Sequence, residues 1–215
     1  MFAKEWRCEL RTRYALNTLA LFTFTTLVVV SMSLGPIGIS LAQGSGVLPV
    51  LLWLILLFAS AAGLPRAFVH EEETQTATAL RLAATPSALF CGKLAYGLTL
   101  VAALEALLTP LYLAAMSLAI ASPTLLVAAL AAGGYGLAAG STLVAAIIAQ
   151  ARGKGTLFAV LSFPVFLPLL LLAVELTGKA VAGQPGGGVT LVQLVLYDAS
   201  VTVASLMLFP AVWNP

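Results

Sequence analysis

Charge is what this chain lacks most. It carries ten Lys and Arg and eight Asp and Glu in 215 residues, only 8% charged against 61% hydrophobic, where a soluble domain has about 25% charged and about 45–50% apolar residues. Water cannot solvate such a surface on all sides, so the composition defines an integral membrane protein. The net charge of +2 supplies no basic face for nucleic acid. His70 is the sole histidine, and Cys8 and Cys91 are the only cysteines. None of them stands at a metal-ligand spacing from another, so neither a metal centre nor a disulfide framework is expected. A Ser-His-Asp set is missing as well, and no catalytic residue is assigned. The nearest approach to a phosphate loop is "ARGKGT". It fails because Gly155, not Ser or Thr, follows Lys154, and Ile148 stands where the leading glycine belongs. Any ATP must be hydrolysed by another chain.

What the sequence has in abundance is long apolar runs. A spanning helix needs about 20 apolar residues, and six runs of that size lie at about 15–34, 48–65, 94–120, 124–149, 156–176 and 191–212. Turn-forming stretches separate them: "GPIGISLAQGSG" after the first, "SPT" after the third, "ARGKG" after the fourth and "GQPGGG" before the sixth. The first run is too long for the apolar part of a signal peptide and is read as a retained span. The whole of 1–215 is then a single all-α transmembrane permease domain. Nine of the ten basic residues, among them Arg11, Arg13, Arg152 and Lys154, fall on one side of these spans, and Lys179 alone on the other. The positive-inside rule places both termini in the cytosol and 177–190 outside.

Two polar stretches sit on that inner side. In residues 1–14, Phe2, Trp6, Leu10 and Tyr14 recur every fourth position with charges between them, the pattern of an amphipathic helix lying on the membrane surface before the first span. The second, 66–93, separates spans two and three. From Glu71 to Ala84 nothing breaks a helix. Glu71, Glu72 and Glu73 stand at its start and Arg81 near its end, each favourable to the helix dipole, and Pro86 stops it. About 1.5 Å per residue makes this a rod of roughly 20 Å, with Glu72, Glu73, Gln75 and Arg81 turned to the cytosol. A shorter helix over Ser87–Lys93 leads into the third span. One reading is a solvated topogenic loop. The other is a rigid element that takes force from a cytosolic partner, and it accounts for the length and the caps.

Three acids lie within or at the edge of spans. Glu105 falls near the middle of the third and must face protein or water, either as a protonated carboxyl bonded between helices or in a transport or gating role. Pro110 is expected to kink that helix. Glu175 stands four residues before Lys179, the spacing of an ion pair at the outer interface, and Asp198 lies beside Tyr197 in the sixth span. Gly136 and Gly140 in "GGYGLAAGS" have the small-xxx-small spacing of closely packed helices. Pro164 and Pro168 in "SFPVFLP" predict a kinked or broken fifth helix.

The stretches "RTRYALNTLALFTFTTLVVVSMSLGP", "LPVLLWLILLFASAAGLPRAFVHEEETQTATALRLAATPSALFCGKLAYGL" and "ARGKGTLFAVLSFPVFLP" together resemble the CcmB family, the membrane subunit of the ATP-binding-cassette (ABC) system of cytochrome c maturation, described as a haem exporter. Gln75-Thr76-Ala77 stands where that family usually has Gly-Thr-Leu. The resemblance implies six spans with an interfacial N-terminal helix, related to ABC exporter permeases, in a bacterial inner membrane. It makes 66–93 a coupling segment seated on a CcmA-like ATPase subunit. It further implies two copies per complex, CcmC- and CcmD-like membrane partners, a CcmE-like haem chaperone, and haem as the ligand transported or handled. No motif of this chain binds a cofactor: the lone His70 is a weak axial-ligand candidate, and Trp6, Trp53 and Trp213 form no tryptophan-rich haem platform. Haem translocation, ATP-driven rearrangement of a haem-delivery complex, and export of another lipid-like substrate all remain open on the sequence.

Overall fold

The computed structural model describes Trp6 and residues 14–43, 46–64, 85–150 and 154–213. Six α-helices account for almost all of them: α1 (Tyr14–Gln43), α2 (Val47–Gly63), α3 (Pro86–Ala115), α4 (Pro123–Gln150), α5 (Lys154–Ala182) and α6 (Gly187–Trp213). Five are long and apolar enough to cross a membrane, whereas α2 is a shorter apolar helix of 17 residues. In lipid a helix satisfies its own backbone, which is why a chain of this composition has no other regular element among the described residues.

Consecutive helices run antiparallel. Gly63 at the end of α2 meets Leu19 near the start of α1. The Tyr112 hydroxyl late in α3 donates to Leu48 O early in α2 (2.7 Å). Lys179 near the end of α5 reaches Thr190 at the start of α6 (2.8 Å). The helix α4 occupies the centre. Around it α2, α3, α6 and α5 close a ring in that order, each touching the next and all touching α4, while α1 packs outside on α2 and α3. Residues 136–145 of α4 are buried without interruption, as expected of a helix apolar all round.

Several expected boundaries shift. The stretch after the first span is not a turn: α1 continues to Gln43, broken only at Gly35 (φ 58°, ψ 178°). That left-handed torsion suits glycine, and Pro36 behind it cannot donate to the preceding turn, so the chain swings and resumes as helix. The short helix over Ser87–Lys93 and the third span are one element, starting at Pro86 in the first helical turn behind Thr85, a position where the missing N–H costs nothing. Lys93 is accordingly buried within α3, not in a polar connection. The same helix ends at Ala115 rather than near 120 and carries Pro110 inside it. The fifth helix is not broken: α5 runs through Pro164 and Pro168 and reaches Ala182, six residues beyond the expected end. The link between α3 and α4 is then pinned by backbone bonds from Ala121 and Ser122 to Val181 O (3.3 Å) and Ala180 O (2.9 Å).

The close approach of the ring to α4 generates a stability prediction. A methyl on Gly136 would collide with Asp198 Oδ1 and Leu169 Cδ1, whereas one on Gly178 meets nothing within 4 Å. Gly136→Ala should therefore lose about 1–3 kcal/mol, read as a lowered thermal midpoint of the detergent-solubilised protein. Gly178→Ala should leave the midpoint unchanged or raise it.

Candidate functional site: two buried acids and a lateral groove

Glycines on α4 make the notches into which the surrounding helices fit. The ring of Trp53 from α2 lies over Gly133, Glu105 from α3 over Gly134, Asp198 from α6 with Leu169 from α5 over Gly136, and Phe166 from α5 over Gly140. A methyl on Gly134 would stand 2.5 Å from Glu105 Oε1. Without a driving force between apolar helices in lipid, backbone proximity of this kind is what holds a bundle together. Gly134 and Gly136 fall in the middle of the 28-residue α4 and lie about 200° apart around its axis at 3.6 residues per turn. The two acids consequently flank α4 at one depth, with the helix between them.

Both acids are deeply buried, Glu105 at 9% exposure and Asp198 at 4%. Glu105 Oε1 and Asp198 Oδ1 have no hydrogen-bond partner among the described residues, and neither has Thr109 Oγ1, one turn from Glu105. Buried polar atoms are nearly always paired, so each of these unpaired carboxyl oxygens marks a point where water or a ligand group can act. Asp198 also sits in a knot of bonds joining three helices. Thr202 Oγ1 donates to Asp198 O (2.7 Å), the Tyr135 hydroxyl and Thr202 Oγ1 lie 3.0 Å apart, and the Tyr197 hydroxyl donates to Val165 O (2.6 Å). Val165 is adjacent to Pro164, whose carbonyl Pro168 leaves without an intrahelical donor.

Glu175 and Lys179 form an i, i+4 ion pair of 2.7 Å on α5. Thr190 of α6 joins it, accepting from Lys179 Nζ (2.8 Å) and donating to Glu175 Oε1 (3.2 Å). The cluster fastens the α5–α6 end of the bundle and is remote from the two buried acids. Trp6, the described residue of the N-terminal stripe, donates from Nε1 to Thr99 Oγ1 (3.1 Å) and stands edge-on to Tyr96 with centroids 6.2 Å apart. It is thus docked on α3, the helix that opens at Pro86 within the 66–93 stretch. Pro86 opens α3. Glu71, Glu72, Glu73, Gln75 and Arg81, like Arg11, Arg13 and Arg152, lie outside the described residues, and of Lys154 only its backbone, opening α5, is described.

A feature that sequence reading missed lies between α2 and α5. There a lateral groove of about 640 Å³ is lined by Trp53, Leu54, Phe58, Phe163, Phe166 and Leu171, among other apolar residues. That volume is in the range of ligand sites, about 300–1,000 Å³. Its wall is fixed by the buried bond from Trp53 Nε1 to Thr177 Oγ1 (2.8 Å), which ties α2 to α5. A tryptophan within a span hinted at a polar tie, but nothing in the sequence marked the groove itself. No cluster of His, Cys, Asp or Glu suited to a metal occurs among the described residues.

An all-helical bundle with five membrane-length helices, a central helix buried over 136–145 and a side groove defines a multi-pass membrane protein. Its family is equally plain: the model of the CcmB protein matches residues 1–213, and the chain belongs to the CcmB family. A relative from Bradyrhizobium diazoefficiens, Heme exporter protein B, is 28% identical over 169 residues, 78% of this chain and 75% of that protein.

The geometry separates two kinds of change at the acids. Glu105→Gln and Asp198→Asn keep shape and should leave the amount of protein in the membrane and its thermal midpoint near the original. Glu105→Lys puts a longer, positive group against Gly134 and should deplete the folded protein severalfold, as read by quantitative immunoblot of membranes.

Proposed function

We propose that this chain is the permease subunit of an ABC complex that moves haem across, or delivers it at, a bacterial inner membrane for c-type cytochrome assembly. The observation that carries the reading is the groove between α2 and α5. It is ligand-sized, apolar and aromatic, opens to the side of the bundle, and is walled by a tryptophan held in place. A flat apolar macrocycle would lie against the exposed rings of Phe58 and Phe163, with Trp53 and Phe166 buried behind them. Among the described residues the groove walls offer no His, Cys, Met or Tyr, so these walls would recognise the porphyrin face. Membership of the CcmB family and the printed name of the Bradyrhizobium relative point to the same cargo.

A groove open on one side is half a chamber. Two copies, related by a two-fold axis along the membrane normal, would face their α2–α5 grooves toward each other and enclose the cargo. Energy would enter from a CcmA-like ATPase subunit, because this chain has no phosphate loop of its own. The contact would be the acidic segment at Glu71–Arg81, which leads through Pro86 into α3. Docking of Trp6 on Tyr96 and Thr99 ties that residue to the same helix, so a push on α3 would move Trp6 with it. Glu105, also on α3, would then shift against Gly134 of the central helix. CcmC- and CcmD-like subunits would flank the pair, and a CcmE-like chaperone would receive the haem.

Three measurements test this. Leu54→Trp and Leu171→Trp fill the groove and should lower c-type cytochrome formation at least tenfold with the membrane amount of the chain and recovery of the ATPase subunit unchanged; normal cytochrome formation would remove the groove from the pathway. Reversing Glu72 and Glu73 to Lys should weaken recovery of the ATPase subunit severalfold while insertion persists, and unaltered recovery would move the contact elsewhere. For the orientation, an impermeant thiol reagent applied from outside should label a cysteine placed at Gly186 and not one at Thr76.

A further inference from the structure

An acid and a threonine stand four positions apart on two of the helices, Glu105 with Thr109 on α3 and Asp198 with Thr202 on α6. That spacing puts both members of a pair on one helix face, about 5–6 Å apart at Cβ. On α6 the threonine is spent: Thr202 Oγ1 donates to Asp198 O (2.7 Å) and meets the Tyr135 hydroxyl. Thr26, Thr99, Thr142, Ser200 and Ser205 likewise donate to a carbonyl three or four positions back (2.6–2.7 Å), the ordinary way for a hydroxyl within a helix to satisfy itself. Thr109 does not. It is 7% exposed and Glu105 9%, and Thr109 Oγ1 and Glu105 Oε1 bond neither each other nor any other described group. Thr23, Ser60 and Ser141 also hold unpaired hydroxyls, but none of them has an unpaired acid one turn away. The same turn of α3 contains a third group in need. Pro110 lies inside the helix and brings no N–H to the carbonyl of Ala106. Prolines are tolerated in spans where side chains, ordered water or neighbouring helices take up the backbone group they free.

We propose that Glu105, Thr109 and the Ala106 carbonyl form a site for one ordered water molecule. A buried water makes about three hydrogen bonds, and this turn supplies three partners: the water donates to Glu105 Oε1 and to Ala106 O and accepts from the Thr109 hydroxyl. Two polar groups on one face that stand too far apart to bond directly are the usual setting for such a bridge. The hydrated turn is also the place where α3 bends. Beyond it the helix is fastened, by the Tyr112 hydroxyl on Leu48 O (2.7 Å), by Leu118 N on Leu113 O (3.0 Å), and by the link to α4 held on the end of α5. Before it lies the half that follows 66–93 and carries the docked Trp6. A turn closed through water in place of a direct backbone bond yields more easily, so it separates the fastened half from the half that is pushed. The hinge role rests on the force path proposed above; the water site does not.

The test images the whole complex, purified with its partner subunits into lipid nanodiscs, by electron cryo-microscopy at a resolution that shows ordered water. The expected map has one water within about 2.7–3.2 Å of Glu105 Oε1, Thr109 Oγ1 and Ala106 O, kept in Thr109→Ser and lost in Thr109→Val. A Thr109 hydroxyl bonded straight to Glu105 O or Ala106 O, with no density between it and the carboxyl, would overturn the site. A water unchanged in Thr109→Val would overturn it equally. For the hinge, Pro110→Ala returns the missing N–H. The thermal midpoint should then rise by several degrees, and c-type cytochrome formation should fall at least fivefold with recovery of the ATPase subunit unchanged. Full cytochrome formation with Pro110→Ala would overturn the hinge. Harmless groove filling by Leu54→Trp and Leu171→Trp would instead remove the haem reading, and the water site would still be decided by the map.

Discussion

Everything in this bundle depends on how closely other helices can approach α4. In water a central helix would be gripped by hydrophobic burial, but lipid tails are as apolar as leucine, and that drive is absent between helices in a membrane. What remains is contact at short range. Glycines at 133, 134, 136 and 140 open the surface of α4 on several sides, and each opening is filled by a large or polar group of a different helix: Trp53, Glu105, Asp198 with Leu169, and Phe166. The ring order α2, α3, α6, α5 follows from which notch each residue fills.

The same notches explain why two acids can lie at mid-membrane. A carboxyl on a lipid-facing surface would cost about 2.5–3.5 kcal/mol on insertion scales. Seated over a glycine, it lies against backbone, and lipid is kept away by the helices on either side. Since α4 stands between Glu105 and Asp198, neither can share a proton or a hydrogen bond with the other. They are two separate polar points, one on α3, which follows the acidic segment in the chain, and one on α6. Rotation of α4 by a fraction of a turn would change the surroundings of both together.

Much of the architecture was legible in the sequence because lipid imposes simple rules. Length and apolarity located the six described helices, although α2, at 17 residues, is shorter than the span expected of it, and the family followed from the quoted stretches. Boundaries failed for identifiable reasons. A Gly-Pro pair reads as a turn, yet at Gly35 a single left-handed residue lets the helix resume. Prolines read as kinks or breaks, and Pro164 and Pro168 do not break the helix, where a neighbouring side chain such as Tyr197 can bond a carbonyl beside the disrupted turn. The four-residue spacing of Gly136 and Gly140 announced close packing, but not that Gly133 and Gly134 would receive a tryptophan and an acid from two other helices. The groove was not legible at all, because its two walls are more than a hundred positions apart and uniformly apolar. No periodicity distinguishes a groove-lining leucine from one facing lipid.

That ambiguity has a physical consequence for how such a protein recognises its cargo. In a soluble protein an apolar groove stands out against a polar surface, and its emptiness costs free energy. In a membrane it is filled by acyl chains when nothing else is bound, so a cargo must displace lipid and gains little from apolarity alone. Selectivity has to come from shape and rigidity. Rigidity is what Trp53 supplies. Its ring is fully buried and wedged against Gly133, and its indole N–H is committed to Thr177 of the opposite wall, so it locks the two walls together. The exposed rings of Phe58 and Phe163 then line a groove of fixed shape that flexible acyl chains match poorly and a planar macrocycle matches well. On this argument the decisive substitution is Thr177→Val. It removes the bond but preserves the volume, leaving a buried indole N–H unpaired at a cost of about 1–3 kcal/mol. The expected outcome is a chain that still inserts and assembles yet discriminates less between planar and flexible apolar ligands. Competition between a fluorescent porphyrin and a spin-labelled fatty acid on the purified complex measures that discrimination, and an unchanged ratio would dismiss Trp53 as its source.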